Sequence, residues 1–219
     1  MQKLEADILT RADIEKEDVF TYTLTHDFRA SFDSGKAMVG VPVEFMIDVE
    51  SPAGLLSYEF YLNGELVRER SEDNTFTHTF ESAGSYNIEA VTYNKYDEKS
   101  YADMYSYEVV EAYTSETPVI SMLHRSYPHN FVYAEEFDLE MTVTCNVIFG
   151  EAPYEYRFEL TGYNDGEPSY TIFEDTDFTD SNEYKFLYNT YMRYDNLTVN
   201  VTVRDAKGNT VSEPLDIRM

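Results

Sequence analysis

Tryptophan is absent from this 219-residue chain, cysteine occurs once, at Cys145, and lysine and arginine number 16 against 42 aspartates and glutamates. A single cysteine excludes an intrachain disulfide, and with it a disulfide-stapled scaffold, while leaving the redox compartment open. The shortage of basic residues gives a net charge of -26, a surface that repels nucleic acid and anionic lipid, so neither is expected as a partner. The nine glycines are scattered among turns and form no phosphate-cradling loop. No apolar run approaches the roughly 18 residues of a membrane span, and no membrane insertion is expected. The opening stretch, MQKLEADILTRADIEKEDVF, has no apolar core of the kind a signal peptide needs. Met1 is read either as the natural start of a cytosolically made protein or as the first residue of an excised piece.

Catalytic chemistry is equally thin. No Gly-x-Ser-x-Gly elbow occurs. Cys145 falls on the inward face of a predicted strand, where a thiol is an inert small hydrophobe. His124 and His129 flank Arg-Ser-Tyr-Pro at a spacing that gives no shared helical face, and His26 is isolated, so a histidine-held metal is not expected. The reading is of a protein that is not an enzyme.

What the chain has in quantity is aromatic residues, 20 tyrosines and 14 phenylalanines, in a two-residue rhythm. Thr75 to Asn94 reads strand, turn, strand. Phe76, His78 and Phe80 share one face, Ser82-Ala83-Gly84-Ser85 breaks the pattern, and Tyr86, Ile88, Ala90 and Thr92 resume it. Upstream, Val43, Phe45, Ile47 and Val49 alternate with polar residues, as do Tyr58, Phe60 and Leu62. Asn63-Gly64 supplies a two-residue hairpin turn, and Tyr105, Tyr107 and Val109 are placed inward on the last strand. His78-Thr79-Phe80, Gly84-Ser85-Tyr86 and Asn94 resemble the closing strands of the polycystic-kidney-disease (PKD) type of immunoglobulin-like sandwich. That resemblance implies structural roles for Tyr86, as a corner residue, and for His78. The Trp-x-Phe-Gly-Asp-Gly signature frequent in that family is replaced by Tyr58-Glu59-Phe60-Tyr61-Leu62-Asn63-Gly64, which leaves the likeness at the PKD-like level.

After the linker Glu111–Thr117 and Pro118 the pattern repeats. Leu139, Met141, Val143, Cys145 and Val147 form one inward row, and Tyr154, Tyr156, Phe158 and Leu160 a second. Tyr184, Phe186 and Tyr188 stand where Phe76, His78 and Phe80 stood. Leu197, Val199, Val201 and Val203 complete the set, and Asp165-Gly166 and Asp205–Asn209 turn the chain. Pro153-Tyr154-x-Tyr156-x-Phe158 and Val201-x-Val203-x-Asp205-x-x-Gly208-Asn209 are similar to the tyrosine-rich immunoglobulin-like repeats of bacterial surface proteins. The expected fold is all-β: two tandem immunoglobulin-like (PKD-like) antiparallel sandwiches over residues 27–112 and 117–219. Residues 1–26 precede them as a docking helix or flexible arm.

Two site expectations follow. Glu174, Asp175, Asp177, Asp180 and Glu183 crowd a ten-residue stretch read as a loop. Of these, Asp175, Asp177, Asp180 and Glu183 are the candidate ligands for a calcium ion, a hard cation served by six to eight oxygens. Tyr61 and Tyr93 fall outward by alternation, and Tyr96 and Tyr101 are read as lying in loop or linker. Together the four form a candidate binding surface, since tyrosine gives contact area at low entropy cost. The function expected is a non-catalytic structural or interaction protein. The first placement is the exterior of a bacteriophage virion, with residues 1–26 docking to other proteins of the assembly. The alternative is an excised part of a bacterial cell-surface or secreted protein, with adhesive, glycan-binding or spacer modules.

Overall fold

The computed structural model describes residues 26–49, 56–126, 138–163, 171–189 and 196–217. The expected arm before His26 and the turn at Asp165-Gly166 lie outside them. The described residues hold strands and turns and no helix. In chain order the strands are β1 (His26–Ala30), β2 (Ala37–Met38), β3 (Pro42–Val49), β4 (Ser57–Leu62), β5 (Glu65–Ser71), β6 (Thr75–Thr79), β7 (Gly84–Tyr93) and β8 (Lys99–Val110). There follow β9 (Val119–Ser126), β10 (Asp138–Ile148), β11 (Glu155–Tyr163), β12 (Thr171–Asp175), β13 (Glu183–Asn189), β14 (Asn196–Arg204) and β15 (Thr210–Ile217).

They assemble into four sheets, with the orders β1-β3-β6, β2-β8-β7-β4-β5, β13-β10-β9 and β12-β11-β14-β15. The protein is therefore all-β, built as two sandwiches. Each half repeats one plan, a three-stranded sheet of its first, second and fifth long strands and a larger sheet of the rest. Against the antiparallel expectation, β2 runs parallel to β8, with Ala37 opposite Val109 and Met38 opposite Val110.

Packing divides the chain into two compact units. The first holds Glu44–His78 and Gly84–Glu108 with the chain up to Arg29; the second holds Ala30–Val43, Thr79–Ala83 and Val109–Met219.

In the first unit the alternation works as read. Phe45, Ile47, Phe60, Ile88 and Ala90 have no exposed surface. Phe76 is half-buried and stacks on Phe45, Phe60 and His78 with ring centroids 6.2, 5.6 and 5.9 Å away. Asn63 and Gly64 take φ values of 51° and 80°, the doubly left-handed turn that joins two right-twisted strands.

The last strand departs from the expectation. Tyr107 is buried and meets Phe45 edge-on at 5.4 Å, but Tyr105 is 72% exposed. Ser106 between them sits at φ 56°, and its N–H donates to Asn87 Oδ1 at 3.1 Å instead of extending a regular strand. This extra residue moves the two-residue period by one step, so Tyr101, Asp103 and Tyr105 face out before it while Tyr107 faces in after it.

In the second unit Met141, Val143, Cys145, Val199, Val201 and Val203 are fully buried, and Phe158, Tyr184 and Phe186 stack at 5.3 and 5.5 Å. Burial pushes the Cys145 thiol up to about 12, so it stays protonated. Asp205, 3% exposed, ties the β14–β15 turn: its Oδ1 accepts from the N–H of Lys207 and Asn209, and its Oδ2 from the Asn209 side chain. Burial alone would raise its pKa, but hydrogen bonds from Asn209, Glu151 and Lys207 more than offset that and lower it.

Beside it Gly150, at φ 70°, lies so close that a Cβ would stand 2.9 Å from Pro118 N and 3.0 Å from Asp205 Oδ2. Within the same unit Asp33 is fixed between strands. Its N–H donates to Ser121 O, its Oδ2 accepts from Leu123 N–H, and Lys36 bridges to Glu213 at 2.6 Å.

Candidate functional site

The acidic stretch matches the expected loop only in its middle: its ends lie in strands, and residues 176–182 form an irregular connection between them. Glu174 and Asp175 end β12, Glu183 begins β13, and the residues between are stitched to β11. Thr176 N–H donates to Phe158 O, and Tyr156 and Thr179 exchange both of their backbone hydrogen bonds. Asp175 is engaged by Arg157, whose Nε and Nη2 donate to its two oxygens at 2.8 and 2.5 Å. That interaction lowers the Asp175 pKa. Glu174 accepts from Tyr184 Oη at 2.7 Å, while Asp177, Asp180 and Glu183 are exposed. Among the described residues no three histidine, cysteine, aspartate or glutamate side chains gather as a metal site.

The tyrosines are brought together. On β4 the core takes Tyr58 and Phe60, which turns Glu59 and Tyr61 to the outer face of the five-stranded sheet. On β7 the core takes Ile88, Ala90 and Thr92, which turns Glu89, Val91 and Tyr93 outward. The antiparallel register sets Ser57 opposite Tyr93, Glu59 opposite Val91 and Tyr61 opposite Glu89. Glu59 Oε2 consequently lies between two phenols, accepting from Tyr61 Oη at 2.8 Å and from Tyr93 Oη at 2.5 Å.

Cations close over the same place. The Arg70 guanidinium lies 4.1 Å from the Tyr93 ring centroid and is held there by Ser57 Oγ at 2.7 Å and Asp97 Oδ1 at 2.6 Å. Lys99 Nζ approaches the same ring at 5.1 Å. Tyr93 is thus an outward residue that is nevertheless only 6% exposed, and Val91 on the same face is 3% exposed. Tyr101 remains 56% exposed and lies close enough to Tyr93 to act on its ionisation. Tyr96, in the β7–β8 turn, is 44% exposed with Lys95 Nζ 4.9 Å from its ring.

The electrostatics agree with the contacts. Burial pushes Glu59 upward, but the hydrogen bonds from Tyr93 and Tyr61, with Lys99 and Arg70 nearby, bring its pKa below the usual value. Tyr61 is raised to about 12, first by its bond to Glu59; Tyr93 is raised to about 12, first by burial and then by the same bond. At neutral pH the cluster is therefore a fixed carboxylate, two phenol donors and two cations, with one broad tyrosine ring open to solvent.

The four tyrosines singled out from sequence are placed as follows: Tyr61 and Tyr93 in the network, Tyr96 in a turn as expected, and Tyr101 beside the network on β8 rather than in the expected loop, because β8 already begins at Lys99. Tyr86 and His78 are half-buried in β7 and β6. Sequence reading missed Glu59, Arg70, Lys99 and the exposed Tyr105. The first three meet only through strand register, and Tyr105 was hidden by the extra residue at Ser106.

No family model and no curated protein matches the chain. Similarity exists at the level of solved structures, and in the following cases it is distant. Fibronectin(III)-like modules of Clostridium thermocellum CbhA share 16% identity over 88% of this chain and 93% of that one, with a TM-score of 0.34. Carbohydrate-binding modules of the β-sandwich superfamily share 11% identity over 87% and 83%, with a TM-score of 0.36. A bacterial ice-binding adhesin shares 11% identity over 88% and 63%, with a TM-score of 0.29.

Proposed function

We propose that this chain is a non-catalytic interaction protein of the bacterial cell surface or secreted space. Its working surface is the outer face of the sheet β2-β8-β7-β4-β5. One observation carries the reading. Tyr101 and Tyr105, 56% and 72% exposed, project from one face of β8 next to a network that holds Glu59, Tyr61, Tyr93, Arg70 and Lys99 in place. Exposed tyrosines beside pre-positioned polar groups are the composition of binding surfaces, where rigid rings lose little entropy on contact. The cell-surface placement is preferred to the virion because it rests on described residues. The motif shared with surface-protein repeats is built into the second unit: Tyr154 donates to Phe149 O at 2.7 Å, Tyr156 and Phe158 enter the core, and Asp205 ties the last turn. The virion placement rests on Met1 and on an arm that lies outside the described residues.

Fluorescently labelled protein sedimented with bacterial envelopes tests the reading. Tyr101→Ser combined with Tyr105→Ser is expected to lower the bound fraction about tenfold, the loss of roughly 1.4 kcal/mol. Its stability should stay within about 0.5 kcal/mol, because both rings are at the surface. Undiminished retention of the double variant sinks the proposal.

A further inference from the structure

We infer that the Glu59–Tyr93–Tyr101 face is a carbohydrate site for a neutral, unbranched polysaccharide; this rests on the interaction reading above and names its ligand. A pyranose ring has an apolar face of C–H groups and a rim of hydroxyls, each both donor and acceptor. The site offers a counterpart to each part. The open ring of Tyr101 is a flat apolar plate. Near it stand carboxylates to accept from hydroxyls, Glu59 in the network and Asp103 on the same side of β8, and donors at Arg70 and Lys99 to give to them.

The groups of the network are fixed before any ligand arrives. Arg70 is held by Ser57 and Asp97, and Glu59 by two phenols. Little ordering entropy is then lost on binding.

Charge selects within the class. At a net charge of -26 the protein disfavours uronates, sialylated chains and phosphate-bearing polymers. Shape selects further. The site is the face of a sheet, and Tyr105 repeats the plate four residues beyond Tyr101 on the same side of β8, about 13 Å away by strand rise. Two plates at that separation suit an extended chain of several sugars better than a single residue. An open site of this kind holds its ligand weakly, with a Kd on the order of 0.1–1 mM.

Affinity electrophoresis of the full chain decides the matter, through gels containing a soluble neutral glucan, a soluble neutral mannan, polygalacturonate or gelatin. Retardation is expected in at least one neutral gel and not in polygalacturonate or gelatin. Tyr101→Ala should weaken it about tenfold, Glu59→Gln several-fold, and Tyr113→Ala in the other unit should leave it unchanged. Circular dichroism melts confirm that the variants fold. No retardation in either neutral gel, retardation that survives Tyr101→Ala, or a preference for polygalacturonate or gelatin overturns the inference. If the neutral gels fail while envelope binding still depends on Tyr101 and Tyr105, the ligand class is wrong and the adhesive reading stands. If both fail, both fall.

Discussion

Glu59 shows how one carboxylate organises a face. Its Oε2 fixes Tyr61 and Tyr93, and the Tyr93 ring is where Arg70 and Lys99 stack. Replacing it with glutamine keeps the shape and removes the charge. Glu59→Gln is expected to cost about 1 kcal/mol at neutral pH, less than the roughly 1.5–3 kcal/mol of a bond to a charged group because the carboxylate is partly in solvent. The sign of its pH dependence follows from the lowered pKa. The contribution is complete above the unfolded value near pH 4.3 and is lost as pH falls through the lower folded value. Urea unfolding of both proteins should therefore give a constant gap above about pH 5 that closes below about pH 4. In the same variant the two tyrosines that titrate at about 12 should move toward the ordinary value near 10, read by ultraviolet absorbance. None of this was legible in the sequence, since Glu59 looks like any outward acid until register places it between two phenols. Cys145 was legible, because its inward place depends on local alternation alone.

At the scale of the element, what could be read was whatever the two-residue period fixes locally. The Asn63-Gly64 turn, the inward rows of β3, β4, β10, β11 and β14, and the turn at Asp205–Asn209 all stand where alternation and turn chemistry put them. What could not be read was where the period slips or where one strand lends order to another. Tyr105 was misplaced because Ser106 adds a step, and the hydrogen bonds that tie the acidic connection to β11 could not be foreseen because they join residues distant in sequence. Two glycines separate backbone strain from crowding. Gly64→Ala meets nothing within 4 Å and suffers only its positive φ, an expected loss of about 1 kcal/mol. Gly150→Ala adds contacts of 2.9 to 3.1 Å with Pro118 and Asp205 and should lose about 2–4 kcal/mol. Denaturant midpoints of the two variants measured side by side check the order; equal losses would show that Pro118 and Asp205 yield freely.

For the molecule as a whole, the excess of acids over bases, a net charge of -26, is the main long-range electrostatic feature. Like charges spread over the surface oppose compaction, and salt relieves them. Raising sodium chloride from about 0.01 M to about 0.15 M shortens the screening length from roughly 30 to roughly 8 Å and should raise Tm by several degrees. A Tm that falls with salt would mean that the ion pairs, such as Arg70–Asp97 and Arg204–Glu155, outweigh the repulsion. The two-sandwich plan was legible at this scale because it repeats within the chain.

Ser106 gives the molecule an unusual freedom of length. Because it is surplus to the alternation, excising it would let Tyr105 adjoin Tyr107 as regular neighbours, the first still outside and the second still inside. Gain or loss of one codon there alters how sharply the ribbon coils and how its displayed rings are aimed, yet swaps nothing between interior and exterior. The same edit almost anywhere else in β8 would turn the remainder of the strand inside out.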